Sequence, residues 1–203
     1  PDTGSTFTGW AGACAGTGTC EVTMSQVRTV TATFTLNQYT VTAGATGTGS
    51  GSVSSDVGGI SYAYPGQATG TTTPLDHGSA VTLTATAATG STVLWTGCTA
   101  TGGTTTAATC TFSSLDSDKS VTATFTLNQY TVTANATGTG GGAVSSNVGG
   151  ISYAYPGQTT GSTTPLDHGS AITLTATAAT GSTVAWTGCT ATGGTNTTAT
   201  CAF

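Results

Sequence analysis

The chain is predicted to be all-β, a tandem array of small antiparallel modules of about six strands each, rich in Thr and Gly and each pinned by one disulfide. Three observations lead there. Residues 34–110 repeat as residues 125–201 at an offset of 91, and only ten of those 77 positions differ. Apolar residues alternate with Thr in Tyr39-Thr-Val-Thr-Ala43, Val81-Thr-Leu-Thr-Ala-Thr-Ala87 and Val121-Thr-Ala-Thr-Phe-Thr-Leu127. That period of two marks a strand with one buried face, and β-branched Thr suits the pleated surface. The six Cys fall in three local pairs, Cys14/Cys20, Cys98/Cys110 and Cys189/Cys201, at the same place in each copy.

Glycine and turn residues punctuate the strands. Gly47-Thr-Gly-Ser-Gly51 precedes a strand at Val53, and Val57-Gly-Gly59 and Tyr64-Pro-Gly66 mark further turns. Asp76-His-Gly78 leads into the Val81 strand, and Ala88-Thr-Gly-Ser91 separates that strand from the one bearing Trp95. Leu115-Asp-Ser-Asp-Lys119 is a tight turn into the last strand. Residues 8–34 repeat the plan of residues 93–125 with a shorter middle: Trp10 aligns with Trp95, Cys14 with Cys98, Cys20 with Cys110, Arg28 with Lys119 and Phe34 with Phe125. The domain organisation expected is therefore the C-terminal half of a repeat over 1–35, a complete repeat over 36–126, and a repeat lacking its last strand over 127–203. Two readings of the ends follow, a window of a longer array or a subunit whose missing strand another molecule supplies.

Composition narrows the function. Charged residues are 4% of the chain, against about a quarter in ordinary domains, while 36% are hydrophobic. A disordered chain has the opposite balance. Two basic residues and a net charge of −5 disfavour nucleic acid and anionic membrane surfaces, which are bound through clustered Lys and Arg. No apolar run reaches the length of a membrane span. The Cys spacing does not fit a zinc site, and no haem-attachment motif occurs. Disulfides remain, and they point to an oxidising, extracellular or cell-surface location.

The linked order of strand, Trp, Cys pair and closing strand resembles a known family. The segments are Gly4-Ser-Thr-Phe-Thr-Gly-Trp-Ala-Gly-Ala-Cys14 with Arg28-Thr-Val-Thr-Ala-Thr-Phe34, and Gly78-Ser-Ala-Val-Thr-Leu-Thr-Ala-Thr-Ala-Ala-Thr-Gly-Ser-Thr-Val-Leu-Trp-Thr-Gly-Cys98 with Lys119-Ser-Val-Thr-Ala-Thr-Phe125. They are similar to the divergent internalin-type B-repeat of bacterial surface and secreted proteins. The resemblance implies a small β-rich module with no enzymatic activity or cofactor of its own. It also implies a further Cys pair near residues 60–73; here that stretch is SYAYPGQATGTTT, without cysteine.

The remaining candidates divide between core and surface. Trp10, Trp95 and Trp186, with Phe34 and Phe125, are predicted to be core plugs in modules otherwise built of Ala, Gly and Thr, with sugar stacking as the competing role for the Trp rings. Thr82, Thr84, Thr122 and Thr124 are expected to face outward. Tyr62, Tyr64, Tyr153 and Tyr155 lie in a Gly/Pro-rich loop and are the candidate contact surface. Asp76-His77 and Asp167-His168 would suit general-base chemistry, but no nucleophile is marked and a turn is the simpler role. Asp116 and Asp118 fall short of the oxygens that calcium needs. Neither a metal nor a catalytic residue is assigned. The function expected is an extracellular structural repeat forming a stalk, adhesin shaft or filament. Its partners would be neighbouring repeats or subunits, joined head to tail. A surface-glycan-binding module is the alternative, and an ice-binding Thr array a lesser one.

Overall fold

The computed structural model describes all 203 residues and is all-β. It divides into two compact units, Pro1–Thr126 and Leu127–Phe203. No helix is long and apolar enough to cross a membrane.

The complete module lies in the first unit and is a two-sheet sandwich. One sheet has five strands in the order Ala100–Gly103, Ala107–Phe112, Val81–Ala87, Gly51–Ser55, Ser61–Tyr64. The other has four, Ser91–Thr96, Lys119–Leu127, Val41–Gly47, Thr69–Thr71. Six of these strands have five residues or more; the others, with the pair Gln38–Tyr39 and Leu75–Asp76, are short. The alternation of the sequence becomes the alternation of burial. Val81, Leu83 and Ala85 point inward from one sheet, and Val41, Ala43, Val121, Ala123 and Phe125 from the other, all in one apolar core. The Thr residues between them, Thr82, Thr84, Thr122 and Thr124, are half-buried on the outer faces.

One pairing departs from the antiparallel plan. Lys119–Leu127 runs parallel to Val41–Gly47, with Val121 opposite Ala43 and Phe125 opposite Gly47. The cause is directional. The module is opened by a strand that leaves Asn37-Gln38 and closed by one that runs into Asn128-Gln129, and these two strands lie side by side. Close approach there depends on glycine: Gly47 has φ +113°, and a Cβ on Gly51 would meet the Phe125 ring.

Residues ahead of this module form a two-stranded ribbon, Ser5–Gly12 paired with Val30–Leu36, with a bulge between Phe7 and Gly9. Here the structure corrects an expectation. Phe34 is 55% exposed rather than core, and Trp10 is only half-buried. The five-stranded sheet that buries their counterparts has no equivalent beside the ribbon; Phe7 packs on Trp10 and on Phe34, with ring centroids 5.2 and 5.4 Å apart.

The second unit repeats the five-stranded sheet, in the order Ser152–Tyr155, Gly142–Ser146, Thr173–Ala178, Thr198–Ala202, Ala191–Gly194. Its opening strand shrinks to Thr133–Asn135, from seven residues in the first unit to three. The segment at Thr183–Thr187, counterpart of Thr92–Thr96, forms no strand. In the first unit both segments flank the closing strand; in the second no strand lies between them.

Candidate functional site

Trp95, Tyr62 and Tyr64 of the complete module are each held by a polar atom. The Trp95 indole N–H donates to the Ala108 carbonyl at 3.0 Å and the ring is buried. Tyr62 is buried too, its hydroxyl donating to the Ala43 carbonyl at 2.9 Å. Tyr64 is half-buried, donates to the Gly47 carbonyl, and stacks on Phe125 at 5.7 Å. The second unit repeats this: Tyr153 is buried with its hydroxyl on the Ala134 carbonyl, and Tyr155 donates to Gly138. Tyr62 and Tyr153 are therefore buried rather than on a contact surface, while Tyr64 and Tyr155 are half-buried. Their hairpin folds back across the opening strand, and the rings clamp that strand to the five-stranded sheet. Burial raises the phenol pKa of Tyr62 and of Tyr153 above 10.0, because the phenolate would lose water.

The polar motifs are likewise occupied by the fold. Asp76 accepts from the Gln38 side chain at 2.9 Å, while His77 donates its backbone N–H to the Asn37 carbonyl and packs its ring on Gly4 and Tyr39. Asp167 and His168 repeat this with Gln129, Asn128 and Tyr130. In both copies the Asp-His pair ties the linker Leu-Asn-Gln to the module that follows it. Asp118 accepts from the backbone N–H of Thr40 at 2.7 Å, fastening the turn before the closing strand to the start of the opening one. Asp116 pairs with Lys119; hydrogen bonds from Lys119 and Ser117 hold its pKa below the usual carboxylate value. No group of His, Cys, Asp or Glu is arranged to hold a metal.

Two anchors lay outside the sequence reading. Thr72 is buried and its hydroxyl accepts from the Val41 N–H at 3.0 Å; Thr163 does the same for Val132. Asp56 accepts from the Thr82 N–H at 2.8 Å, and Asn147 does so for Thr173 at 2.8 Å. The replacement of Asp56 by Asn147 between copies is therefore neutral, since either side-chain oxygen serves. These acceptors act on residues 26 to 31 positions away, a distance at which no local pattern marks them.

All six Cys are bonded, Cys14 to Cys20, Cys98 to Cys110 and Cys189 to Cys201. Cys110 and Cys201 lie at the floor of their cores, so the disulfide ties the Trp-bearing segment to the five-stranded sheet.

What remains unsatisfied is an edge. In the second unit Val132, Ala136, Val184 and Trp186 are half-buried, whereas Val41, Ala45, Val93 and Trp95 are buried in the first. Trp186 keeps its bond to the Ala199 carbonyl at 3.0 Å. Thr133–Asn135 is paired with Thr160–Ser162 on one side only, and the apolar groups that flank the closing strand in the first unit are half-covered here.

No curated protein and no solved structure matches the chain. The divergent InlB B-repeat domain matches residues 1–38 and 39–129, so its first boundary falls in the Leu-Asn-Gln linker, next to the Asn37–His77 hydrogen bond. With both matches carrying the Trp, Cys-pair and closing-strand plan, the chain belongs to the divergent InlB B-repeat family.

Proposed function

We propose that the protein is an extracellular structural repeat of a bacterial surface or secreted protein, serving as stalk, adhesin shaft or filament. The observation that carries this is the use of its aromatic and charged side chains. In the complete module, the groups that would bind sugar or do acid–base chemistry close the fold instead: Trp95 and Tyr62 on backbone carbonyls, Asp76 and Asp118 on linkers. Two open clefts, one at Thr183–Trp186 and Gly193–Asn196 and one at Ser50–Ser52, Tyr64 and Thr86–Ala88, are lined by neutral residues. Disulfides in every copy fit an oxidising exterior. Such a module contributes length and resistance to unfolding rather than turnover.

The test is a glycan screen run beside limited proteolysis. The protein is expected to bind no glycan and to resist protease under non-reducing conditions. Saturable glycan binding with a change in Trp fluorescence would instead support the adhesive alternative.

A further inference from the structure

We propose that Asn196 is an attachment site for an N-linked glycan, so that the protein carries sugar on the second repeat copy. The inference rests on the extracellular reading above and adds a covalent modification to it.

Three of the ten differences between the repeat copies carry the motif. Gly44 becomes Asn135, Thr105 becomes Asn196 and Ala107 becomes Thr198. Together they create Asn135-Ala-Thr137 and Asn196-Thr-Thr198, the two stretches in which Asn stands two residues before Thr or Ser with no proline between. Asn37, Asn128 and Asn147 have no Ser or Thr at that spacing. Asn-x-Thr is the acceptor signal for transfer of sugar to an Asn side chain in exported proteins.

The structure separates the two motifs. Asn196 lies in the short connection between Ala191–Gly194 and Thr198–Ala202, and both Asn196 and Thr198 are exposed. Other groups close this turn. Thr195 Oγ1 accepts from the backbone N–H groups of Thr197 and Thr198 at 3.3 and 3.1 Å, and the Thr195 N–H donates to the Thr198 carbonyl at 2.7 Å. The Asn196 carbonyl accepts from the Val184 N–H at 2.8 Å, and the Thr197 carbonyl from the Ala178 N–H at 2.9 Å. The main chain and Thr195 thus hold the tip, and the Asn196 carboxamide and the Thr198 hydroxyl make no hydrogen bond within the fold. The same tip is exposed in the complete module, over residues 104–107, where Thr104 Oγ1 accepts from the N–H groups of Thr106 and Ala107. Its exposure is therefore a property of the module. Asn135 differs: it is part of the strand Thr133–Asn135, and its side-chain oxygen accepts from the Thr160 hydroxyl at 2.9 Å. Only Asn196 is presented on an open turn with its carboxamide uncommitted.

The chemistry is a glycosyl transfer from a sugar whose C1 carries a phosphate leaving group. The Asn196 Nδ2 attacks C1. The Nδ2–C1 bond forms, the C1–O bond to phosphate breaks, the phosphate departs with the bonding pair, and Nδ2 gives up one proton. A glycan is bulky and solubilising, which suits a chain with charged residues at only 4%.

The test uses the protein purified from the cells that make it. Chymotrypsin, cutting after Trp186 and Phe203, releases residues 187–203 as one peptide that holds Asn196 together with Cys189 and Cys201. Without reduction, this peptide is expected at the mass of its disulfide form plus a sugar, with fragmentation placing the sugar on Asn196. Asn196→Thr and Thr198→Ala each restore the residue of the first copy, so both variants should fold. Each should abolish the added mass in full. A sugar found on Thr instead, or one that survives Thr198→Ala, overturns the proposal, and so does an unmodified peptide. In that last case the cysteines separate the two readings. A bridged, unmodified peptide leaves the extracellular reading standing, whereas free thiols remove its support as well.

Discussion

Phe34 and Phe125 sit in the same seven-residue string, yet one is half exposed and the other wholly buried. Local sequence cannot distinguish them; the sheet opposite does. Phe125→Ala should therefore cost about 3–5 kcal/mol of first-unit stability, while Phe34→Ala should cost well under 1 kcal/mol in the monomer. Urea titration of the two variants checks this, and equal losses would contradict the burial difference. Tyr62 gives a second residue-scale expectation. Its folded pKa is raised by burial, so its contribution is intact below the ordinary value of 10.0 and is lost as pH rises through the folded value. This contribution therefore weakens in alkali, whereas the bonds that hold Asp116 below the usual carboxylate value weaken in acid. Tyr62→Phe should flatten that alkaline fall while losing about 1 kcal/mol with the bond to the Ala43 carbonyl. Thermal melts across the pH range measure both effects.

At the scale of elements, the strands were legible because alternation of Thr with Val, Leu, Ala and Phe survives directly as alternation of burial. The parallel pairing of first and last strands was not, because it follows from how the path closes, not from any local pattern. The burial of Tyr62 and Tyr153 was not legible for a related reason. SYAY sits between Gly59 and Pro65-Gly66, a loop-like context, and its rings find carbonyls 17 and 19 residues away. The disulfides belong to this scale too. Cys98–Cys110 joins the Trp-bearing segment to the central strands across a separation of 12 residues. Replacing both with Ser should cost about 3 kcal/mol by the loop-entropy account. Denaturant melts with and without reductant would measure it, and no change on reduction would show that the Trp95 and Cys110 packing suffices alone.

For the whole molecule, the repeat was visible in the offset of 91, but the difference between two nearly identical copies was not. Both units carry the same five-stranded sheet, and only the first has a strand between its opening and Trp-bearing segments. That one strand accounts for the longer opening strand, the buried Trp95 and the ordered Ser91–Thr96 of the first unit. In the first unit the module is completed by its closing strand, Lys119–Leu127. Native-state hydrogen exchange on dilute, monomeric protein tests this most directly. Amides of Val41–Gly47 and Ser91–Thr96 should be strongly protected, while those of Val132–Ala136 and Thr183–Thr187 exchange much faster, and added KSVTATFTL peptide should slow the second set. Equal protection of the two copies without peptide would contradict the account.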